Sequence, residues 1–133
     1  MTLTGFRLRA GQPIFEQVVF AAKKAFISGE FEPGQAFPSV RALAVELKIH
    51  PNTAHKVVQH LIQEGYLQVL PGIGTIVAEL PEPRPGEKKR LLKEEIEELV
   101  VEAKRLGLEL GQVLQAIEAQ WAKFEKPVEV MQK

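Results

Sequence analysis

The chain has 133 residues, of which 45% are apolar and 26% charged, and this fits one small globular domain with or without an appendage. Seventeen basic residues balance 17 acidic ones, which disfavours a basic protein that coats nucleic acid. The absence of cysteine excludes disulfides, thiolate metal sites and a cysteine nucleophile. No apolar run reaches the roughly 20 residues that span a bilayer, and the first residues lack a signal-peptide core. We therefore expect a cytoplasmic protein with no membrane partner.

The first third of the chain predicts a helix followed by a turn. Residues 13–28 begin with a proline suited to a first helical turn, carry apolar residues at helical spacing and precede Gly29, which can end a helix. The next segment, 31–38, contains Pro33-Gly34, a pair that sets a tight bend. We expect one helix with a buried face and then a connector.

A helix-turn-helix arrangement is predicted next. Ser39 is suited to cap a short helix over residues 40–47, because its hydroxyl can accept a hydrogen bond from a backbone N–H. A third helix is expected from Pro51 to about Glu64, with Gly65 at its end. Two short helices joined by a tight turn define the motif.

A β-hairpin and a linker follow the third helix. Residues 66–70 and 75–79 are short runs of strand-forming residues, separated by Pro71-Gly72-Ile73-Gly74. Three helices followed by a hairpin make a winged helix-turn-helix domain, which we assign to residues 1–80. Residues 81–86 contain three prolines and are expected to form an extended linker.

Residues 87–126 predict two helices with an apolar seam, and residues 127–133 a short tail. Within each predicted helix the seam residues recur at alternating spacings of 4 and 3, with Ala103 between Leu99 and Leu106, which is typical of a heptad pattern. Three arrangements fit: a helical hairpin that packs back onto the first domain, one unbroken helix through Gly107 and Gly111, and a dimerisation region. We favour dimerisation, because two helices alone rarely bury enough surface. The residues predicted to dimerise the chain are Leu92, Ile96, Leu99, Leu106, Leu110, Leu114, Ile117, Trp121 and Phe124.

The predicted fold class is therefore mainly α with a small β-hairpin, a winged helix-turn-helix domain plus a C-terminal α-helical hairpin. Between Pro13 and Ala78 the chain contains P-I-F-E-Q, S-G-E-F-E-P-G, P-S-V-R-A-L-A, P-N-T-A-H-K and E-G-Y-L followed by G-I-G-T. These motifs, in this order, resemble the winged-helix domain of GntR-type bacterial transcription regulators. The short C-terminal region resembles the YtrA-like subfamily, in which two helices dimerise the protein.

The resemblance implies a homodimeric, sequence-specific regulator of transcription that binds double-stranded DNA at a palindromic operator. A repressor is expected, with the recognition helix, residues 51–64, in the major groove. The hairpin wing would lie along the backbone or the minor groove, with contacts at Gly72, Gly74 and Thr75.

Six further candidate DNA contacts lie in the helix-turn-helix. Arg41 matches an arginine that the family uses, and in the first turn of its helix a cation opposes the helix dipole, so we favour a phosphate or base contact over a solvated arginine. Asn52 and Thr53 lie in the first turn of the recognition helix, where an ordinary capping pair is the alternative. His55 and Lys56 follow on the exposed side, with Lys56 assigned to a phosphate. Ser39 is first a helix cap and second a phosphate contact.

The wing departs from the family pattern. Relatives often carry basic residues around the two wing glycines, whereas this loop has Pro71 and Ile73. We expect a weakened wing contact, or its replacement by Arg7 and Arg9 near the N-terminus.

No metal site and no other cofactor are predicted. His50, His55 and His60 fall within 11 residues, which raises the question of zinc. His50 precedes the helix, and His55 and His60 lie about 140° apart around its axis, so they cannot share one ion.

Two other classes of function compete with a DNA-binding regulator. The neutral charge and uncharged wing leave open a winged-helix dimeric protein-interaction module with weak or lost DNA binding. An enzyme is disfavoured, because no paired acid and base, nucleophile elbow or phosphate-binding loop is present. A small-molecule effector would need a pocket at the dimer interface, because the appendage is too short to enclose one.

Overall fold

The structure, a computed structural model, describes residues 7–125, so the predicted tail, residues 127–133, lies outside the described part. The chain divides into two compact units, Met1–Pro81 and Glu82–Lys133. Within residues 7–125 no helix is both long and apolar enough to cross a bilayer. The division between the units falls inside the proline-rich segment.

Three helices form most of the first unit. Helix α1 spans Ile14–Ser28, α2 spans Val40–Leu47 and α3 spans Pro51–Gln63. Helix α1 begins at Ile14, one residue later than predicted, and Pro13 is its N-cap residue. Gly29, with a φ of 85°, ends the helix. The three predicted helices are confirmed.

The turn between α2 and α3 depends on Lys48. Its φ of 57° is the one positive value found at a non-glycine residue of the described chain, and it costs roughly 1–2 kcal/mol. The amide of Ile49 donates a hydrogen bond to the Ala44 carbonyl at 3.0 Å, and the Ile49 side chain is buried. The buried isoleucine anchors the turn and thereby fixes where α3 begins.

The wing is an antiparallel hairpin of β1 (Leu67–Leu70) and β2 (Gly74–Val77). Leu70 pairs with Gly74, so the loop contains three residues, 71–73, rather than the predicted four. The predicted hairpin is confirmed, with Gly74 now the first residue of its second strand.

The connector before α2 also joins the sheet, which the sequence pattern does not predict. The amide of Phe37 donates to the Thr75 carbonyl at 2.9 Å, and the amide of Val77 donates to the Gln35 carbonyl at 2.8 Å. The predicted bend precedes this pairing, with a φ of 91° at Gly34. Strand β2 is therefore hydrogen-bonded along both edges.

An aromatic cluster joins α1, the connector and the wing. The rings of Phe26, Phe31 and Phe37 lie 5.3–6.1 Å apart between centroids, and Tyr66 stacks on Phe26 at 5.6 Å. Phe31 is fully buried, so this cluster forms one side of the core. The helices, the strands and the turn between α2 and α3 supply the other buried apolar residues, which are Val18, Val19, Ala22, Ala25, Leu43, Ala44, Ile49, Ala54, Val57, Val58, Leu61, Leu67 and Val77.

The second unit contains two helical stretches separated at Gly107. The first is continuous from α4 (Glu87–Arg90) through a π-helical segment (Leu91–Glu95) into α5 (Ile96–Arg105), and the second is α6 (Leu110–Lys123). Gly107 has a φ of 75°, which ends the first stretch. The predicted pair of C-terminal helices is confirmed, and the chain does not form the alternative of one unbroken helix.

The π-helical segment changes the phase of the apolar residues. The amide of Ile96 donates to the carbonyl of Leu91, five residues earlier. A π turn holds one more residue than an α turn, so an apolar stripe shifts by one position where it passes through the segment. Leu91, five residues before Ile96, therefore comes closer to the line of Ile96 than α-helical spacing predicts.

We expect Phe31→Ala to lower the free energy of unfolding of the first unit by about 3–5 kcal/mol, because it removes a fully buried ring that contacts two others. Urea denaturation followed by circular dichroism measures the loss. The control is Ile73→Ala on the wing loop, where the side chain is 76% exposed and the expected change is below about 0.5 kcal/mol. Equal losses in the two variants would show that the aromatic cluster does not carry the stability.

Candidate nucleic-acid interface

Helix α3 has one apolar buried face and one polar exposed face. Its buried residues, Ala54, Val57, Val58 and Leu61, pack into the core. The opposite side carries exposed polar residues separated by three, one, three and four positions, which places them together on the helix surface. We call this set the polar stripe, and it consists of Asn52, His55, Lys56, Gln59 and Gln63.

Sequence reasoning identified the first three residues of the polar stripe and missed Gln59 and Gln63. The signal was present, because Gln59 and Gln63 continue the helical spacing from Lys56. Glutamine amides carry both donors and acceptors, so these residues extend the hydrogen-bonding surface along α3.

His50 caps α3. Its Nδ1 accepts a hydrogen bond from the amide of Asn52 at 3.0 Å, which requires an unprotonated nitrogen. The Asn52 side chain is left exposed, and Thr53 lies half-buried on the flank of the helix. With His50 in the cap position, the alternative that Asn52 and Thr53 are an ordinary capping pair loses its basis.

Ser39 and Arg41 lie at the start of α2. The Ser39 hydroxyl accepts a hydrogen bond from the amide of Ala42 at 3.1 Å, so it is the N-cap of the helix. Arg41 is exposed in the first turn and forms no ion pair with a carboxylate of residues 7–125. A guanidinium that opposes the helix dipole without an acidic partner is suited to an anion from outside the chain.

The wing loop is held by its backbone and carries no charge. Gly72 and Gly74 have φ values of 78° and 125°, which glycine adopts readily because it has no Cβ. The amide of Ile73 donates to the Leu70 carbonyl at 3.0 Å and closes the loop. Thr75 is half-buried, and its carbonyl accepts from the connector. A contact from this wing would come from backbone groups.

The three histidines have three different environments. His50 caps α3, His55 is exposed on the polar stripe, and His60 packs against Phe15 with its ring edge-on at 5.4 Å between centroids. Across the described residues no group of three or more histidine or carboxylate side chains could hold a metal ion.

Eight of the nine predicted dimerisation residues are exposed on the second unit. Ala103 is the one buried residue within positions 82–125, whereas Trp121 is 70% exposed. Val100 joins the predicted residues on α5, and Phe124 is half-buried. A run of exposed apolar side chains of this length marks an interaction surface, which we call the apolar seam. Its exposed predicted members are Leu92, Ile96, Leu99, Leu106, Leu110, Leu114, Ile117 and Trp121.

The first unit has the architecture of a winged helix-turn-helix domain. Two helices joined by an anchored turn are followed by a hairpin whose second strand also pairs with the connector. In such domains the second helix of the motif enters the major groove of DNA, and here that helix is α3 with its polar stripe.

Comparisons with known proteins agree with this class. The sequence profile of the gntR family of bacterial regulatory proteins matches residues 15–77. The HTH-type transcriptional repressor YtrA of Bacillus subtilis (strain 168) is 35% identical over 103 residues, which are 77% of this chain and 79% of YtrA. The uncharacterized HTH-type transcriptional regulator YhcF of the same organism is 30% identical over 111 residues, 84% of this chain and 92% of YhcF. The chain belongs to the GntR family of bacterial regulatory proteins and, within it, to the YtrA-like subfamily.

A solved structure has a similar fold. The crystal structure of a transcriptional antiterminator from Listeria monocytogenes EGD-e aligns with a TM-score of 0.77 at 22% identity, covering 99% of this chain and 100% of that chain.

Members of the GntR family regulate transcription by binding DNA and are not enzymes. The chain is accordingly a DNA-binding regulator of transcription.

We expect Ser39→Ala to lower the free energy of unfolding by about 1 kcal/mol, because the Ala42 amide loses its side-chain acceptor. Thermal denaturation at neutral pH measures the change. Ser39→Asp keeps an acceptor oxygen at the helix N-terminus and should retain most of the stability. A loss of the same size in both variants would contradict the capping role.

Proposed function

We propose that this chain acts as a homodimer that binds a palindromic DNA operator and represses transcription. The observation that carries the proposal is the polar stripe of α3, which lies opposite an entirely apolar buried face. The name of the relative YtrA, a transcriptional repressor, supports repression. A two-fold dimer suits a palindrome, because its symmetry presents the same helix to two identical half-sites.

The side chains of the stripe divide into two roles. Lys56, together with Arg41 of α2, binds phosphates, since both are exposed cations without an acidic partner in residues 7–125. Asn52, His55 and Gln59 bind base edges, because amides and imidazoles offer hydrogen bonds to the major groove.

Five further predicted contacts act through position or backbone. Ser39 orders the start of α2, and Thr53 flanks the stripe at the start of α3. Gly72, Gly74 and Thr75 contribute backbone groups of the wing, because the loop side chains carry no charge. This makes the wing the weaker of the two DNA-contacting elements.

The second unit holds the dimer together. Residues 87–126 form the dimerisation region, residues 81–86 the linker and residues 1–80 the DNA-binding domain. The support is the apolar seam, with Ala103 the one buried residue within positions 82–125, because helices that bury so little surface alone need a partner. A small-molecule effector would bind where the two seams meet, at the dimer interface.

A second candidate function is a winged-helix dimeric protein-interaction module with weak or lost DNA binding. The zero net charge and the uncharged wing loop favour it. Either function places the protein in the cytoplasm and needs no cofactor.

DNA binding is tested by selecting duplexes from a random-sequence pool with the full chain and measuring affinity against salt concentration. Lys56→Ala should lower the slope of log affinity against log salt by about 0.9 per chain, because one phosphate contact is lost. Asn52→Ala should weaken discrimination at one position by about 1–3 kcal/mol.

The control is Lys24→Ala, which removes an exposed cation on α1 whose ammonium lies over the Phe20 ring. It should bind DNA as the parent does. If the parent selects no sequence and shows no salt-dependent binding, the interaction module replaces the proposed function.

Dimerisation is tested on one helix with two matched variants. We expect Leu99→Glu to convert the protein to a monomer, because Leu99 lies on the apolar seam beside Ile96 and Ala103. Val101→Glu adds the same charge at an exposed residue on the other side of α5 and should remain dimeric. Sedimentation equilibrium measures both masses, and a parent that is itself a monomer would overturn the dimer.

A further inference from the structure

The segment before α1 is held by one buried amide. Gln17 is 8% exposed, the one buried polar or charged residue among those described. Its Oε1 accepts a hydrogen bond from the Arg9 amide at 2.7 Å, and its Nε2 donates to the carbonyls of Arg9 and Gln12 at 2.9 Å and 3.0 Å. The chain turns between these contacts at Gly11, whose φ is 83°. Gln17 therefore fixes the backbone of Arg9 at both its donor and its acceptor.

The backbone of this segment is fixed, whereas its two arginine side chains are available to bind an anion. Arg7 and Arg9 are exposed and form no ion pair with a carboxylate of residues 7–125. Glu16, exposed in the first turn of α1, is the acidic residue nearest to them in sequence. A fixed backbone with free guanidinium groups suits the binding of an external anion, because less freedom is lost on binding.

The segment lies beside the first turns of α1, because it turns back at Gly11 and bonds to Gln17. Phe15, near the start of α1, contacts His60, whereas Phe26, near its end, stacks on Tyr66 beyond the end of α3. The start of α1 therefore lies beside the C-terminal half of α3, at His60.

The start of α1 also borders the polar stripe directly. A shallow groove separates it from α3, and three of the five lining residues belong to the stripe. The groove is lined by Phe15, Lys56, Gln59, His60 and Gln63. A duplex that meets the stripe would bring the phosphates beside its major groove to this end of α1.

We propose that residues 7–12 form a basic arm, with Arg7 and Arg9 binding backbone phosphates beside the recognition helix and Gln17 as the positioning residue. The inference rests on the proposed DNA binding and extends it to a second phosphate-binding element. The arm supplies the cations that the wing loop lacks, since Pro71, Gly72 and Ile73 carry no charge. Such contacts add affinity and register without reading sequence.

The first test compares two single-charge variants of the full chain on a duplex selected by the parent and on a scrambled duplex. Arg9→Gln should lower the salt slope by about 0.9 per chain and reduce affinity about fivefold per chain near 0.15 M salt, on both duplexes. Lys24→Gln removes the same charge from the exposed side of α1 and should leave both values unchanged. Equal behaviour of the two variants would overturn the arm.

The second test separates positioning from folding. Gln17→Ala removes three hydrogen bonds to the arm, so trypsin should cleave after Arg9 faster than in the parent, with an unchanged circular dichroism spectrum. Gln17→Ala should also lower the affinity for DNA. Introducing Arg9→Gln into the Gln17→Ala variant should lower that affinity further by much less than the fivefold expected when Arg9→Gln is introduced into the parent. Additive losses would show that Gln17 acts on stability alone. Should Gln17→Ala not fold, Gln17→Glu keeps the acceptor for the Arg9 amide and removes both donors.

The proposed DNA binding and the basic arm are overturned by different results. A parent that binds no duplex overturns the proposed function and the arm together. A parent that binds its selected duplex, with Arg9→Gln and Lys24→Gln both matching it, leaves the proposed function standing and removes only the arm.

Discussion

The packing of Phe31 and Phe37 against Phe26 is the contact on which the geometry of the DNA-binding unit depends. Phe26 belongs to α1, while Phe31 and Phe37 lie in the connector to α2. The Phe37 amide also donates to Thr75, so the segment that fills the core is the one that pairs with the second strand of the wing. The wing and the helices are therefore fixed to each other through one segment. A binding surface made from two elements needs such a fixed relation.

Local signals made the helices predictable, and non-local pairing made the rest unpredictable. The Ser39 cap and the apolar stripe of α3 could be predicted from neighbouring residues. The same spacing would also have extended the polar stripe to Gln59 and Gln63. The bond between Phe37 and Thr75 joins residues 38 positions apart, and the connector shows only turn signals. The role of Gln17 was hidden because its partners are backbone atoms, which leave no side-chain pattern. The π-helical segment has no residue signature, since it differs from an α-helix only in hydrogen-bond register.

The zero net charge conceals local separation of charge. Charges act over about 8 Å at physiological salt, so their local arrangement decides which partner is attracted. In the first unit, exposed cations lie on α2, on the polar stripe and on the segment before α1. In the second unit residues 94–102 contain five glutamates and no basic residue. The preceding segment, 84–93, sets one acidic residue, Glu87, against Arg84, Lys88, Lys89, Arg90 and Lys93.

Gly107 determines the proportions of the second unit. An unbroken helix over residues 87–123 would be a rod about 55 Å long, whereas the break leaves two rods of about 28 Å and 21 Å. Two long rods would pair along their length and act as a spacer that holds its ends far apart. In the proposed dimer, four short rods from two chains would take the place of two long ones. One left-handed glycine thus helps to set the length of the rods from which the proposed dimer is built.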